Sequence, residues 1–159
     1  MLFTSHVIKS LTEDHKKLRQ EIKVLKDNEV LFTEKRQAFG RLLPHLVSHN
    51  KKEKVVYSFM KLTDEDDLRI WAVEGKEEHQ LVDHLVKKML NEEISIDEWT
   101  TKAKVLAELL DHHITEEEES IFPNLNSELD EESDAELFQK YQNASERPGN
   151  YSDNQGLNS

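Results

Sequence analysis

LAELLDHHITEEEESI, residues 106–121, decides how this chain is read. Leu106, Leu110 and Ile121 fall on one stripe of an α-helix, and the positions that complete the stripe between them are His113 and Glu117. A stripe of this spacing faces neighbouring helices. His112, Glu116 and Glu119 lie off it, as solvated charge. Glu118 is five residues after His113 and reaches inward only if the helix loosens there. An unpaired imidazole or carboxylate at a core position costs several kcal/mol. The stretch therefore demands partners for His113 and Glu117.

The same interruption occurs in three other segments. Residues 4–27 carry Val7, Leu11, Leu18, Ile22 and Leu25, with His15 in the gap. Residues 33–61 carry Phe39, Leu42, Leu46, Val56 and Met60, with His49 and Glu53 in the gap. Residues 64–91 carry Leu68, Ala72, Gly75, Val82, Val86 and Met89, with His79 in the gap. The fourth segment spans residues 96–121. Ser95 with Glu98 and Ser10 with Glu13 have capping-box spacing, and Asp64 to Asp67 place acid at a helix start. Pro44 predicts a kink in the second segment, and Pro123 is expected to stop the fourth. Short connections predict an all-α, up-down-up-down antiparallel four-helix bundle over residues 1–126. An acidic, solvated linker is expected over 127–142, in which Ser133, Asp134 and Glu136 could start one short helix to Tyr141. Residues 143–159 are expected to be a disordered tail.

The two halves repeat. His15 and His79, His49 and His113, and Glu53 and Glu117 are each 64 residues apart. So are Leu18 and Val82, Ile22 and Val86, Leu25 and Met89, Leu42 and Leu106, and Leu46 and Leu110. Asp14 and Glu78 pair likewise, just ahead of a histidine. This is one helical hairpin used twice about an approximate twofold axis. Of the eight histidines, His15, His49, His79 and His113 map onto one another. His6, His45, His84 and His112 do not; they are expected at the surface, His45 with an outer supporting role as its alternative. Trp71, Trp99 and Phe59 are expected to be packing residues.

Two divalent cations would neutralise six such groups at one level, because binding turns costly polar groups into ligands. The candidate metal residues are His15, His49, Glu53, His79, His113 and Glu117. If both glutamates bridge, each metal receives two nitrogens and two carboxylate oxygens. An oxo or hydroxo bridge adds a fifth ligand and leaves one position open. Imidazole and carboxylate suit iron, with zinc or manganese as alternatives.

Composition narrows the remaining classes. The chain has 159 residues, a net charge of −12 and no cysteine. Bulk electrostatics oppose binding to nucleic acid or an anionic membrane. There is no thiolate chemistry, no apolar run of membrane-spanning length and no secretory leader pattern. A cytoplasmic location is expected.

At DHKKL around His15, HNKKE at 49–53, EEH at 77–79 and HITEEEESIFP at 113–123, the chain resembles the hemerythrin-like, or HHE cation-binding, family. The resemblance spans roughly residues 6–126. It implies a four-helix bundle around a non-haem di-iron centre held by the six residues above. Oxygen-carrying members place a second histidine one turn after the one on the third helix, where this chain has Asp83. That argues against a stable oxygen carrier; Asp83 could ligate, His84 could approach, or water could fill the place. Members that repair iron–sulfur centres often carry a cysteine-bearing segment, which this chain lacks. The expected function is binding or sensing of dioxygen, nitric oxide or iron. The competing readings are an enzyme acting on peroxide or nitric oxide, an iron donor in iron-centre repair, and a purely structural bundle.

Overall fold

Ser5 starts the first helix: its Oγ accepts a hydrogen bond from the Ile8 backbone N–H at 3.1 Å. Ser10, with its capping-box spacing, instead lies inside that helix. In the computed structural model, residues 3–91 and 93–145 are described. They form α1 (His6–Lys26), α2 (Phe32–Lys61), α3 (Asp66–Met89) and α4 (Ile96–Glu116). A π-helical turn (Glu117–Ile121), α5 (Phe122–Glu128) and α6 (Glu131–Ser145) follow. The described residues contain no strand, so the chain is all-helical.

Each helix buries the stripe that its periodicity marks. α1 packs against α2 and α4, and α3 packs against α2 and α4. Two apolar cores result. One is built on Leu18, Ile22, Leu25, Leu42, Leu46, Val82, Val86, Trp99, Leu106 and Leu110. The other is built on Val7, Leu11, Val56, Met60, Leu68, Ala72, Ile121 and Phe122. Each leucine buried in them contributes roughly 1.5–3 kcal/mol. Trp99 anchors the first core: Phe32 and Phe39 meet it edge-on, and its indole N–H donates to the Met89 carbonyl at 3.1 Å. Between the cores lies a polar layer.

One expectation about prolines needs correction. Pro123 does not end the fourth helical segment. The Phe122 N–H bonds the Glu117 carbonyl, five residues back, and this wider turn leads directly into α5. Pro123 then sits in the first turn of α5, where no N–H is required of it. α2 runs through Pro44, which lies inside it. Gly40 and Pro44 both face solvent, so water can satisfy the carbonyl that proline leaves without a partner.

The region expected to be a solvated acidic linker is ordered and partly buried. α6 packs on α1 and α2, and Leu129, Leu137 and Tyr141 complete the second core. Asp134 is 1 % exposed and fastens this helix to the start of α1. Its carboxylate accepts from Ser5 Oγ at 2.5 Å and from the His6 backbone N–H at 2.9 Å. A buried acid at a helix N-terminus is favourable, which explains how an acidic segment can dock. The helix also runs past the expected end at Tyr141, through Ser145. Of the expected disordered tail, residues 146–159 lie outside those described.

Candidate metal centre

The polar layer is where the four seams are interrupted. His15 comes from α1, His49 and Glu53 from α2, His79 from α3, His113 from α4 and Glu117 from the π turn. The structure brings all six together, and each is at most 5 % exposed. They form two groups that could each hold a metal ion and that share Glu53. One is His15, His49, Glu53 and Glu117; the other is Glu53, His79 and His113.

The distances show how the groups interlock. His49 Nε2 lies 2.5 Å and His15 Nε2 3.7 Å from Glu53 Oε1, while His15 Nε2 is 3.5 Å from Glu117 Oε1. On the other side His79 Nε2 is 2.7 Å and His113 Nε2 3.5 Å from Glu53 Oε2. His113 Nε2 is also 3.1 Å from Glu117 Oε1. Each carboxylate therefore touches histidines from both halves.

A buried ion-pair network is the plain alternative to a metal site. Burial opposes protonation of His49, but the charge of Glu53 and the hydrogen bond to Asp14 overcome it and raise its pKa to about 9. Burial likewise opposes protonation of His113, and Glu117 with Glu53 outweighs it. Glu53 is held well below the usual carboxylate range despite burial, chiefly by His49. Against this alternative stand four crowded atoms: His15 Nε2, His49 Nε2, Glu53 Oε1 and Glu117 Oε1 make no hydrogen bond. Buried polar atoms are nearly always hydrogen-bonded. Here these atoms lie within 4.8 Å of one another, and the donor set of imidazole and carboxylate fits a divalent cation.

The outer ring repeats the twofold pattern. Asp14 Oδ2 lies 3.4 Å from His49 Nδ1, and Glu78 Oε1 lies 3.2 Å from His113 Nδ1. An Nδ1–H directed at a carboxylate fixes the tautomer and turns Nε2 inward as a lone pair. Burial works against the charge on Asp14, yet His49 and Lys52 bring its pKa down to about 2. Glu118 lies 3.4 Å from His15 Nδ1 and accepts from Arg19. The loosened turn thus lets Glu118 reach the layer from outside while Glu117 points into it.

Other candidates fall away from the layer. His6, His45, His84 and His112 are exposed. Asp83 is buried, but its carboxylate pairs with Lys87 at 2.7 Å and belongs to neither group. Glu78 also falls with His112 and Glu116 in a more exposed cluster at the surface.

Periodicity gives no role to Tyr57, yet its hydroxyl stands at the centre's edge. It lies 3.3 Å from His113 Nε2 and 3.4 Å from both Glu53 Oε2 and Glu117 Oε2. Burial first, then the charges of Glu117 and Glu53, hold this phenol well above its usual pKa, so it is a neutral donor. Gly75 makes its position available: a Cβ there would sit 2.6 Å from the ring and hydroxyl of Tyr57. The signal in the sequence is the run His49, Glu53, Tyr57, four residues apart on one helix face.

No curated protein and no solved structure matches this chain. The hemerythrin HHE cation binding domain family matches residues 6–125, most of the chain and every residue of the centre. The two interlocked His/Glu groups fit a metal site, and the protein belongs to the hemerythrin HHE cation-binding family.

Proposed function

We propose that the centre is a non-haem di-iron site and that it binds or senses a small molecule, dioxygen or nitric oxide, or registers iron itself. His15, His49, Glu53 and Glu117 would hold one ion, and His79 and His113 the other, with Glu53 bridging. Glu117 reaches His113 as well as His15, which suits a second bridge. The observation that carries this reading is the shared glutamate: one buried carboxylate belongs to both groups. A pair of iron ions would supply one-electron chemistry and an open coordination position. The chain's own part is to hold imidazoles and carboxylates fixed, exclude bulk water and offer the Tyr57 hydroxyl as a donor. The reading assigns α1 to α4 an up-down-up-down antiparallel arrangement, which the ring of neighbours supports.

Anaerobic reconstitution with ferrous iron, followed by elemental analysis and exposure to air, tests it. Two irons per chain and a reversible charge-transfer band are expected. Rapid, irreversible conversion to the ferric state would favour an enzyme over a binding protein. Failure to retain iron, with an unchanged melting curve, would leave only the buried ion-pair network.

A further inference from the structure

The centre has a flank that its own symmetry does not require. Between α2 and α3 lies a cavity of about 200 Å³ whose inner wall is Tyr57 and His79. Both touch Glu53, so the cavity is one side chain from the metal layer. Lys54, Lys61 and Lys76 line it together with Ser58, and no acidic residue does. Three cations around one small cavity stand out in a chain of net charge −12.

Comparison with the opposite flank shows that this cavity is specific to one half. Beyond Glu117 the extra residue of the π turn shifts the repeat by one, so Tyr57 corresponds to Phe122, Ser58 to Pro123 and Lys61 to Asn126. Tyr57 packs tilted against His79 at 5.4 Å, and Phe122 stacks nearly parallel on His15 at 5.5 Å. On α1 the counterparts of Ala72 and Lys76 are Ile8 and Thr12. Asn126 is tied to the Phe3 carbonyl and the Ser5 N–H, and Ile8 packs into the second core. The flank beside His15 is filled with apolar and hydrogen-bonded groups. The flank beside His79 keeps a cavity and gathers cations.

We propose that the cleft between α2 and α3 binds a small inorganic oxyanion, held by Lys54, Lys61 and Lys76 against the wall formed by Tyr57 and His79. Three ammonium groups around a cleft of about 200 Å³ suit a compact oxyanion such as phosphate or nitrate. Charge-assisted hydrogen bonds from ammonium groups supply the affinity. The site goes beyond the di-iron reading and does not depend on it, because its lysines stand outside the metal layer.

Titration calorimetry of the full chain with orthophosphate, at constant ionic strength, tests the proposal in metal-loaded and in chelator-treated protein. Saturable binding is expected in both. Lys61→Gln with Lys76→Gln should weaken it about tenfold or more, the effect of losing hydrogen bonds to a charged group, with an unchanged melting temperature. Lys104→Gln, on an exposed face of α4, should leave it intact. Absence of saturable heat, or equal loss in the Lys104 variant, would overturn the site. So would binding that survives the double substitution. Binding that vanishes on chelation would place the anion on the metals instead.

Discussion

The two halves of the bundle share a plan and differ at one flank. Around His15 and His49 the layer has two carboxylates, Glu53 and Glu117, and Phe122 closes it off. Around His79 and His113 it has Glu53, with Glu117 Oε1 also 3.1 Å from His113 Nε2, and a phenol stands where the other half has a phenyl ring. The change is a coupled pair. Leu11 in α1 corresponds to Gly75 in α3, and Phe122 to Tyr57. Removing the leucine side chain makes room for an aromatic that carries one extra oxygen. Charge is exchanged too: Arg19 with Glu118 guards His15, and 64 residues from them stand Asp83 and Lys54. A repeated hairpin can thus keep its buried His/Glu layer while making one side of the centre closed and the other polar.

The strongest way to break this comparison is to remove what the halves share. Glu53→Ala should abolish metal retention in both groups, as read by elemental analysis. His113→Ala should lose the ion of its own half first, while His112→Ala, at the surface, should lose none. Each ion bound at a thousandfold excess over its Kd adds about 4 kcal/mol of stability, so the melting temperature of Glu53→Ala should match that of chelated wild-type protein. Equal behaviour of the two histidine variants would sink the assignment of inward and outward faces.

Gly75→Ala sharpens the comparison at the flank. The new methyl meets the Tyr57 ring at contact distances that no packing tolerates, and overpacking of this kind costs about 1–3 kcal/mol. Denaturant unfolding should show the loss, and Gly75→Ala combined with Tyr57→Ala should cost less than the sum of the two single substitutions. Tyr57→Phe alone should change stability little.

Smaller effects come from the outer ring. Asp14→Asn should weaken metal binding at the first half and Glu78→Gln at the second, each about 10–100-fold, measured by competition with a chromophoric chelator. An Asp14→Asn variant that weakened the second half more would contradict the pairing of His49 with Asp14.

The mildest test concerns α6, which packs chiefly on the first hairpin. The Asp134 carboxyl is held below its ordinary value of 3.8: burial raises it, and Ser5 with the His6 and Val7 backbone outweighs burial. A depressed folded pKa means that its stabilisation is full above 3.8 and disappears as the pH falls through the folded value. Amide exchange in α6 should accelerate in that acid range before exchange in α3 and α4 does. Simultaneous loss of protection would show that α6 is not a separable unit.

The sequence made the bundle and the polar layer readable because charged groups at core positions violate an otherwise regular stripe. It also carried the π turn in faint form. The seam steps from Glu53 to Val56 in three residues, but from Glu117 to Ile121 in four. Periodicity alone could not assign that extra residue to a wider turn. Tyr57 was hidden because an aromatic one turn from a ligand is ordinary packing until its hydroxyl is located. α6 was hidden because its acidic face dominates its composition, while its docking depends on Leu137, Tyr141 and one buried carboxylate. Those contacts reach across more than 120 residues to Ser5, His6 and Ser10, beyond any local pattern.

α6 also alters where the chain can be trimmed. A fragment cut to the family match, residues 6–125, would keep every metal-layer residue yet strip Leu129, Leu137 and Tyr141 from a shared apolar face. It would also delete Ser5 and Asp134, the latch between the first helix and the last. Such a fragment would display sticky surface on α1 and α2 and tend to self-associate, so metal stoichiometry measured on it would describe an aggregate rather than this protein.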